Sequence, residues 1–82
     1  MNTLNVEHHR DLNCFVLGSE GQFAKLEYSR QGDGVTFTST YVPFRLRGQG
    51  VAEALVERGL SWAKDNNLNV SSTCWYVDKF LV

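Results

Sequence analysis

The chain has 82 residues, 43% of them hydrophobic and 21% charged, with a formal net charge of −1. That length supports a single domain, residues 1–82, with a small core and modest stability. The near-neutral charge excludes a nucleic-acid binder that relies on bulk positive potential, although Arg45, Arg47 and Arg58 can still form a local basic patch.

Short strands separated by turn residues fill the first half. Leu4, Val6 and His8 alternate with Asn5, Glu7 and His9, and a polar corner at Arg10-Asp11 leads into CFVLG. The turn SEGQ (Ser19 to Gln22) precedes FAKLEYSR, in which Phe23, Lys25, Glu27 and Ser29 alternate with Ala24, Leu26, Tyr28 and Arg30. After QGDG, Val35 to Val42 is the strongest strand, rich in β-branched and aromatic residues. Strict alternation puts Val35, Phe37, Ser39 and Tyr41 on one face and Thr36, Thr38, Thr40 and Val42 on the other. Pro43 ends it for want of an N–H. Turns this short predict a four-strand antiparallel meander.

At Val51 the period changes. Ala52, Leu55, Val56, Gly59, Leu60 and Ala63 make one helical stripe, closed by the stop signal Asp65-Asn66-Asn67. Gly59 costs this helix about 1 kcal/mol relative to alanine, which a close helix–sheet approach would explain. Asn69 to Thr73 alternates again, so strand, crossover helix and strand predict a fifth strand parallel to the fourth. WYVDKFLV reads as a short C-terminal helix. The expected fold class is α+β.

Two cysteines, Cys14 and Cys74, lie far apart in a chain with no CxxC, and the opening MNTLNVEHHR lacks the layout of a secretory leader. A cytoplasmic setting with both thiols free is expected. No apolar run approaches the roughly 20 residues of a membrane span. His8, His9, Cys14 and Cys74 match no zinc spacing, so no metal is expected. Trp62 and Trp75 read as core or apolar interface, since a base-stacking surface would come with more positive charge.

The stretch between the fourth strand and the helix carries the chemistry. A glycine turn entering a helix suits an anion, because the first helical N–H groups lack intrahelical acceptors and glycine has no Cβ to block approach. Gly48 and Gly50 supply that turn, with Arg45 and Arg47 adding cationic character. Neither GxxxxGK[ST] nor GxGxxG is present, which sets aside P-loop and dinucleotide sites. The pattern is Arg-x-x-Gly-x-Gly, from Arg45 to Gly50.

Arg-x-x-Gly-x-Gly between a strand and a long helix resembles the acetyl-coenzyme A signature of the GCN5-related N-acetyltransferase (GNAT) superfamily. The longer run from Gly34 to Phe80, with VPFRLRGQGVA and TCWYV at their spacing, is similar to its branch of very small single-domain members with a cysteine after the fifth strand. The first 33 residues match more loosely, in length and strand order. The resemblance implies a minimal GNAT-like fold and an N-acetyltransferase using acetyl-coenzyme A without a metal. The acetyl group would go to an unidentified amine on a small molecule, peptide or protein. A noncatalytic coenzyme A-binding module is the alternative. It implies that backbone N–H groups around Arg47, Gly48, Gln49, Gly50 and Val51 hold the pyrophosphate. Tyr41 and Val42 would then pair with the pantetheine arm, and Cys74 and the segment after it would lie near the thioester end. Only Arg10 to Asn13 separates the first two strands, where larger members carry helices, so an open and shallow acceptor side is implied.

Cys74 is the sharpest candidate for chemistry, either taking the acetyl group or lining the pocket; a helix N-terminus after it would favour the thiolate. His8 and His9 point to opposite faces of a strand, and both read as exposed. Ser39 stands where relatives of this branch often carry a histidine, so a base from that place is not expected. Tyr41, Tyr76 and Glu27 remain, against the commoner readings of core aromatic and solvated carboxylate.

Overall fold

The computed structural model describes residues 6–19 and 21–81. The expected strand residues Leu4 and Asn5, the expected turn residue Glu20 and Val82, expected in the C-terminal helix, lie outside the described residues. Five strands form one sheet in chain order: β1 (Glu7–His9), β2 (Cys14–Ser19), β3 (Gln22–Gln31), β4 (Gly34–Tyr41) and β5 (Asn69–Ser72). β1 to β4 make the antiparallel meander, and β5 joins β4 in parallel. A 3-10 turn, Phe44–Leu46, leads from β4 to the crossover helix α1 (Val51–Asp65), and α2 (Trp75–Leu81) follows β5.

One face of the sheet makes the core. Phe15, Leu17, Ala24, Leu26, Tyr28, Val35 and Phe37 meet Val51, Leu55, Val56, Trp62 and Ala63 of α1 and Val77 of α2. Burying each large apolar side chain contributes roughly 1.5–3 kcal/mol. The buried stripe of α1 is rotated from the expected one: Ala52 and Leu60 are half-buried, whereas Val51 and Trp62 are buried. Trp62 draws the helix round by packing edge-on against Phe15 and tilted against Tyr28. At the stripe's centre, an ideal Cβ on Gly59 would come within 2.9 Å of Leu26 Cδ2 and 3.0 Å of Phe37 Cε1. Gly59 therefore sets how closely α1 approaches β3 and β4. The helix ends on a left-handed Asn67 at φ 56°. Its N–H donates to the Lys64 carbonyl while the Leu68 N–H reaches back to Ala63, a Schellman closure.

β4 breaks its expected alternation. Glu27 opposes Ser39 but Tyr28 opposes Phe37, so Thr38 is an extra, bulged residue. Because side chains alternate with period two, one inserted residue exchanges the faces beyond it. Val35 and Phe37 face the core as expected. Past the bulge it is Thr40, opposite buried Leu26, that takes the inner face, while Ser39 and Tyr41 lie opposite exposed Glu27 and Lys25 on the outer one.

Candidate functional site

The glycine turn begins the site. Gly48 and Gly50 have φ of 78° and 76°, a left-handed conformation that side chains rarely adopt. Gly50 is the N-cap of α1, and among the described residues no side chain caps that first turn. A Cβ on either glycine would meet nothing within 4 Å, so both face open space. A cleft of about 290 Å³ opens here, lined by Val42, Arg47, Gly48, Gly50, Val51 and Tyr76 among others. Its electrostatics are mixed, because Glu53 in the first turn of α1 also lines it.

A second hollow of about 380 Å³ continues from the first. It is lined by Thr40, Tyr41, Cys74 and Trp75, and shares Val42, Arg47, Ala52 and Tyr76 with the cleft. The two form one groove from the glycine turn to Cys74. The strand pairing explains why the groove exists. β5 pairs with β4 only from Gly34 to Phe37, and the Thr73 N–H makes a last bond to the Phe37 carbonyl at 2.9 Å. From Thr38 onward β4 has no strand partner on its β5 side among the described residues, so its edge borders the groove. Arg47 spans the two hollows, with Nε donating to the Val42 carbonyl at 3.1 Å and the guanidinium 5.9 Å from the Phe44 ring.

Cys74 is held tightly. Its N–H donates to the Ser72 hydroxyl oxygen at 3.0 Å, and that hydroxyl donates to the Cys74 carbonyl at 3.0 Å. The carbonyl also accepts the Asp78 N–H, which makes Cys74 the entry residue of α2. The thiol lies 3.6 Å from Thr40 Oγ1, a contact made by the exchange of faces past the bulge. Burial pushes the thiol up, but the Val77 N–H, the Thr40 hydroxyl, the Tyr76 N–H and the Thr40 backbone outweigh it, so the net shift is downward. Tyr76 moves the other way: burial, with Glu53 and Glu57 nearby, raises its phenol.

Of the residues expected at a coenzyme site, Tyr41, Val42, Arg47, Gly48, Gly50, Val51 and Cys74 line the groove. Arg45 and Gln49 do not. Gln49 Nε2 donates to the Arg45 carbonyl at 3.0 Å, bracing the turn instead. Consequently Arg-x-x-Gly-x-Ala, running from Arg47 to Ala52, describes the lining better than Arg-x-x-Gly-x-Gly from Arg45. Thr40, Ala52 and Glu53 line the groove without having been singled out for it, whereas Trp75 falls in the segment after Cys74 that was expected near the thioester end. Only Ala52 had a sequence signal, at the end of VPFRLRGQGVA.

The histidines are elsewhere. β1 lies three strand spacings, roughly 14 Å, from β4, so neither His8 nor His9 reaches the groove. His9 is bonded to Glu7 at 3.1 Å. His8 is not the exposed residue expected: it is half-buried, stacked on Phe15 at 4.0 Å, with Nε2 2.7 Å from the Tyr28 hydroxyl. Its imidazole pairs apolar faces with one satisfied nitrogen, which suits a core edge. Burial, then Arg10, Arg58 and His9, lowers its pKa. Cys14 pairs with His9 across β1 and β2, whereas Cys74 follows β5 at the opposite edge. The four soft ligands are therefore not brought together.

Comparison with known proteins agrees with this geometry. A solution structure of a GCN5-like protein from Staphylococcus aureus superposes with a TM-score of 0.73, at 25% identity, over 99% of this chain and 80% of that one. Protein NATD1 of Bos taurus is 32% identical over 81 residues, covering 95% of this chain and 72% of the relative. Protein NATD1 of Homo sapiens is 31% identical with the same coverage. The GCN5-related N-acetyl-transferase family model matches residues 14–82, which include four of the five strands, both helices and the whole groove. The chain belongs to the GCN5-related N-acetyltransferase family.

Proposed function

We propose that this chain binds acetyl-coenzyme A in the groove and transfers its acetyl group to a primary amine. The observation that carries the reading is the groove's continuity: an anion-suited glycine turn at one end, a free strand edge along its side and an ionisable thiol at the other end. Backbone N–H groups from Gly48 to Ala52, with the Arg47 guanidinium, would hold the pyrophosphate. The β4 edge at Tyr41 and Val42 would pair with the pantetheine amides like an added strand, once Arg47 releases the Val42 carbonyl. The coenzyme supplies an acetyl thioester, and the chain's part is to fix its carbonyl beside Cys74 and exclude competing geometries. Thr40 and the first turn of α2 hold the thiol there.

Gly50→Leu tests the anion site. A side chain at φ 76° is strained by about 1–2 kcal/mol, which the fold survives, while its bulk fills the space above the turn. The expected result is a folded protein with no thermal shift on adding coenzyme A; a retained shift would remove the pyrophosphate reading. Intact mass after acetyl-coenzyme A treatment, for wild type and Cys74→Ala, locates the acetyl group. An adduct missing from the variant places it on the thiol, and turnover with an amine panel but no adduct indicates direct transfer. One observation favours the noncatalytic alternative, namely that neither histidine reaches the groove. A thermal shift without turnover on any amine would select that alternative.

A further inference from the structure

Three of the chain's five arginines gather on one aromatic cluster outside the groove. The rings of His8, Phe15, Tyr28 and Trp62 pack so that every pair has centroids between 4.0 and 5.7 Å apart. Arg30, at the end of β3, holds its guanidinium 5.8 Å from the Trp62 ring, with Nε donating to the Gly32 carbonyl at 3.3 Å. Arg58, in the middle of α1, lies over Phe15 at 5.8 Å. Arg10, in the corner after β1, is close enough for its charge to act on both His8 and Tyr28. All three are exposed and line neither hollow of the groove. Among the described residues, no carboxylate forms an ion pair with any of these guanidiniums. Nearby acids act on other groups: Glu7 holds His9, Asp11 and Glu27 act on Cys14, and Glu53 and Glu57 act on Tyr76. A guanidinium resting on an aromatic face keeps its charge and most of its N–H donors for another partner.

We propose that the surface formed by Arg10, Arg30 and Arg58 docks an acidic segment of a partner protein. Guanidinium groups are planar forks that take carboxylates through two parallel N–H···O bonds. The three stand on separate elements, so an extended chain carrying several carboxylates engages more of them than one small anion does. Side chains on one face of an extended peptide recur roughly every 7 Å. That is the same order as the 5.7 Å between the Phe15 and Trp62 rings that carry Arg58 and Arg30. A nucleic acid fits less well. The rings beneath the arginines are buried, Phe15 at 0% and Trp62 at 5% exposure, so neither offers an open face for stacking bases. The net charge of −1 also opposes a long phosphate backbone. None of the three arginines borders the groove, so the docked segment leaves it open, and the proposal stands whether or not the groove takes acetyl-coenzyme A.

The test titrates the isotope-labelled full chain with a short polyglutamate peptide at low salt and near-neutral pH. Nuclear magnetic resonance follows the arginine Nε–H, tryptophan indole and backbone amide signals. Saturable shifts at Arg10, Arg30, Arg58 and the Trp62 indole are expected, and about 1 M salt should weaken binding at least about tenfold. Arg30→Gln combined with Arg58→Gln should also weaken it at least about tenfold, whereas the paired lysine variant keeps the charge and should lose no more than about threefold. Both variants should keep the wild-type circular dichroism spectrum. Citrate, a free polycarboxylate, should bind at least about tenfold more weakly than the peptide, and a single-stranded oligonucleotide more weakly as well. Shifts confined to the glycine turn around Arg45 and Arg47, or an affinity unchanged by the glutamine variants, would overturn the proposal. Citrate binding as tightly as the peptide would make this a small-anion site, and tighter binding of the oligonucleotide would make the partner a nucleic acid; either result overturns it too.

Discussion

Cys74 and Cys14 put one chemical group in two opposed settings. Four hydrogen-bond donors from Val77, Tyr76 and Thr40 outweigh burial at Cys74 and lower its pKa. At Cys14, 5% exposed, burial dominates, Glu27 and Asp11 add to it, Lys25 opposes it, and the thiol is raised. Because the thiolate is the nucleophile, iodoacetamide near neutral pH should modify Cys74 at least about tenfold faster than Cys14. Its rate should reach half-maximum at a lower pH than that of an ordinary cysteine, and Thr40→Val should move that midpoint upward. Equal reactivity of the two thiols, or a midpoint unmoved in the variant, would contradict this account. Cys74 was legible as a candidate from its place after a strand and before a helix. Thr40 was not, since nothing in TFTSTYVP marks Thr38 as the inserted residue and strict alternation sends Thr40 to the wrong face.

Elements were more legible than the contacts between them. The α1 stripe stood out because six apolar or small positions recur at helical spacing, yet its rotation depended on where Trp62 found aromatic partners, which no local pattern contains. Gly59 shows the same division. Alanine there would gain about 1 kcal/mol of helix propensity, but its Cβ would press on Leu26 and Phe37, both fully buried, at a typical overpacking cost of about 1–3 kcal/mol. Gly59→Ala should therefore lower stability by about 1 kcal/mol in denaturant unfolding, and a stabilised variant would show that the two side chains yield easily. On β1, the neutral His8 is favoured by the fold, so its folded pKa lies below its unfolded one. The stability this contributes is complete above about pH 6.5 and is lost as pH falls through the folded value. The denaturant midpoint should drop as pH falls below about 6.5, and His8→Gln should flatten that slope. An unchanged slope would assign the pH dependence to other groups.

At the scale of the molecule, strand order repeats chain order, with β4 and β5 the one pair joined across a long connection. This much was legible, because short turns enforce antiparallel neighbours and a helix between two strands enforces a crossover. The extent of the last pairing was not. The sequence of β5 promises a five-residue ladder, whereas the structure pairs four residues of each strand and leaves the remaining β4 edge to the groove. Polar residues cover most of the outer sheet face, including Glu7, Lys25, Glu27 and Ser29, and no described helix packs there.

The four-residue pairing of β4 with β5 also has a kinetic meaning. Gly34 meets Asn69 across 35 positions of chain, while every other strand pair closes a short turn. Loop-closure entropy puts that contact late on the folding route, after the meander has formed. On this ordering the groove is completed by the last contact, and we expect it to be absent from the transition state. A coenzyme bound in it should therefore slow unfolding in proportion to its binding energy and leave the refolding rate unchanged. Stopped-flow folding in denaturant, with and without coenzyme A, would show one moved limb and one fixed limb; acceleration of refolding would place the crossover early instead.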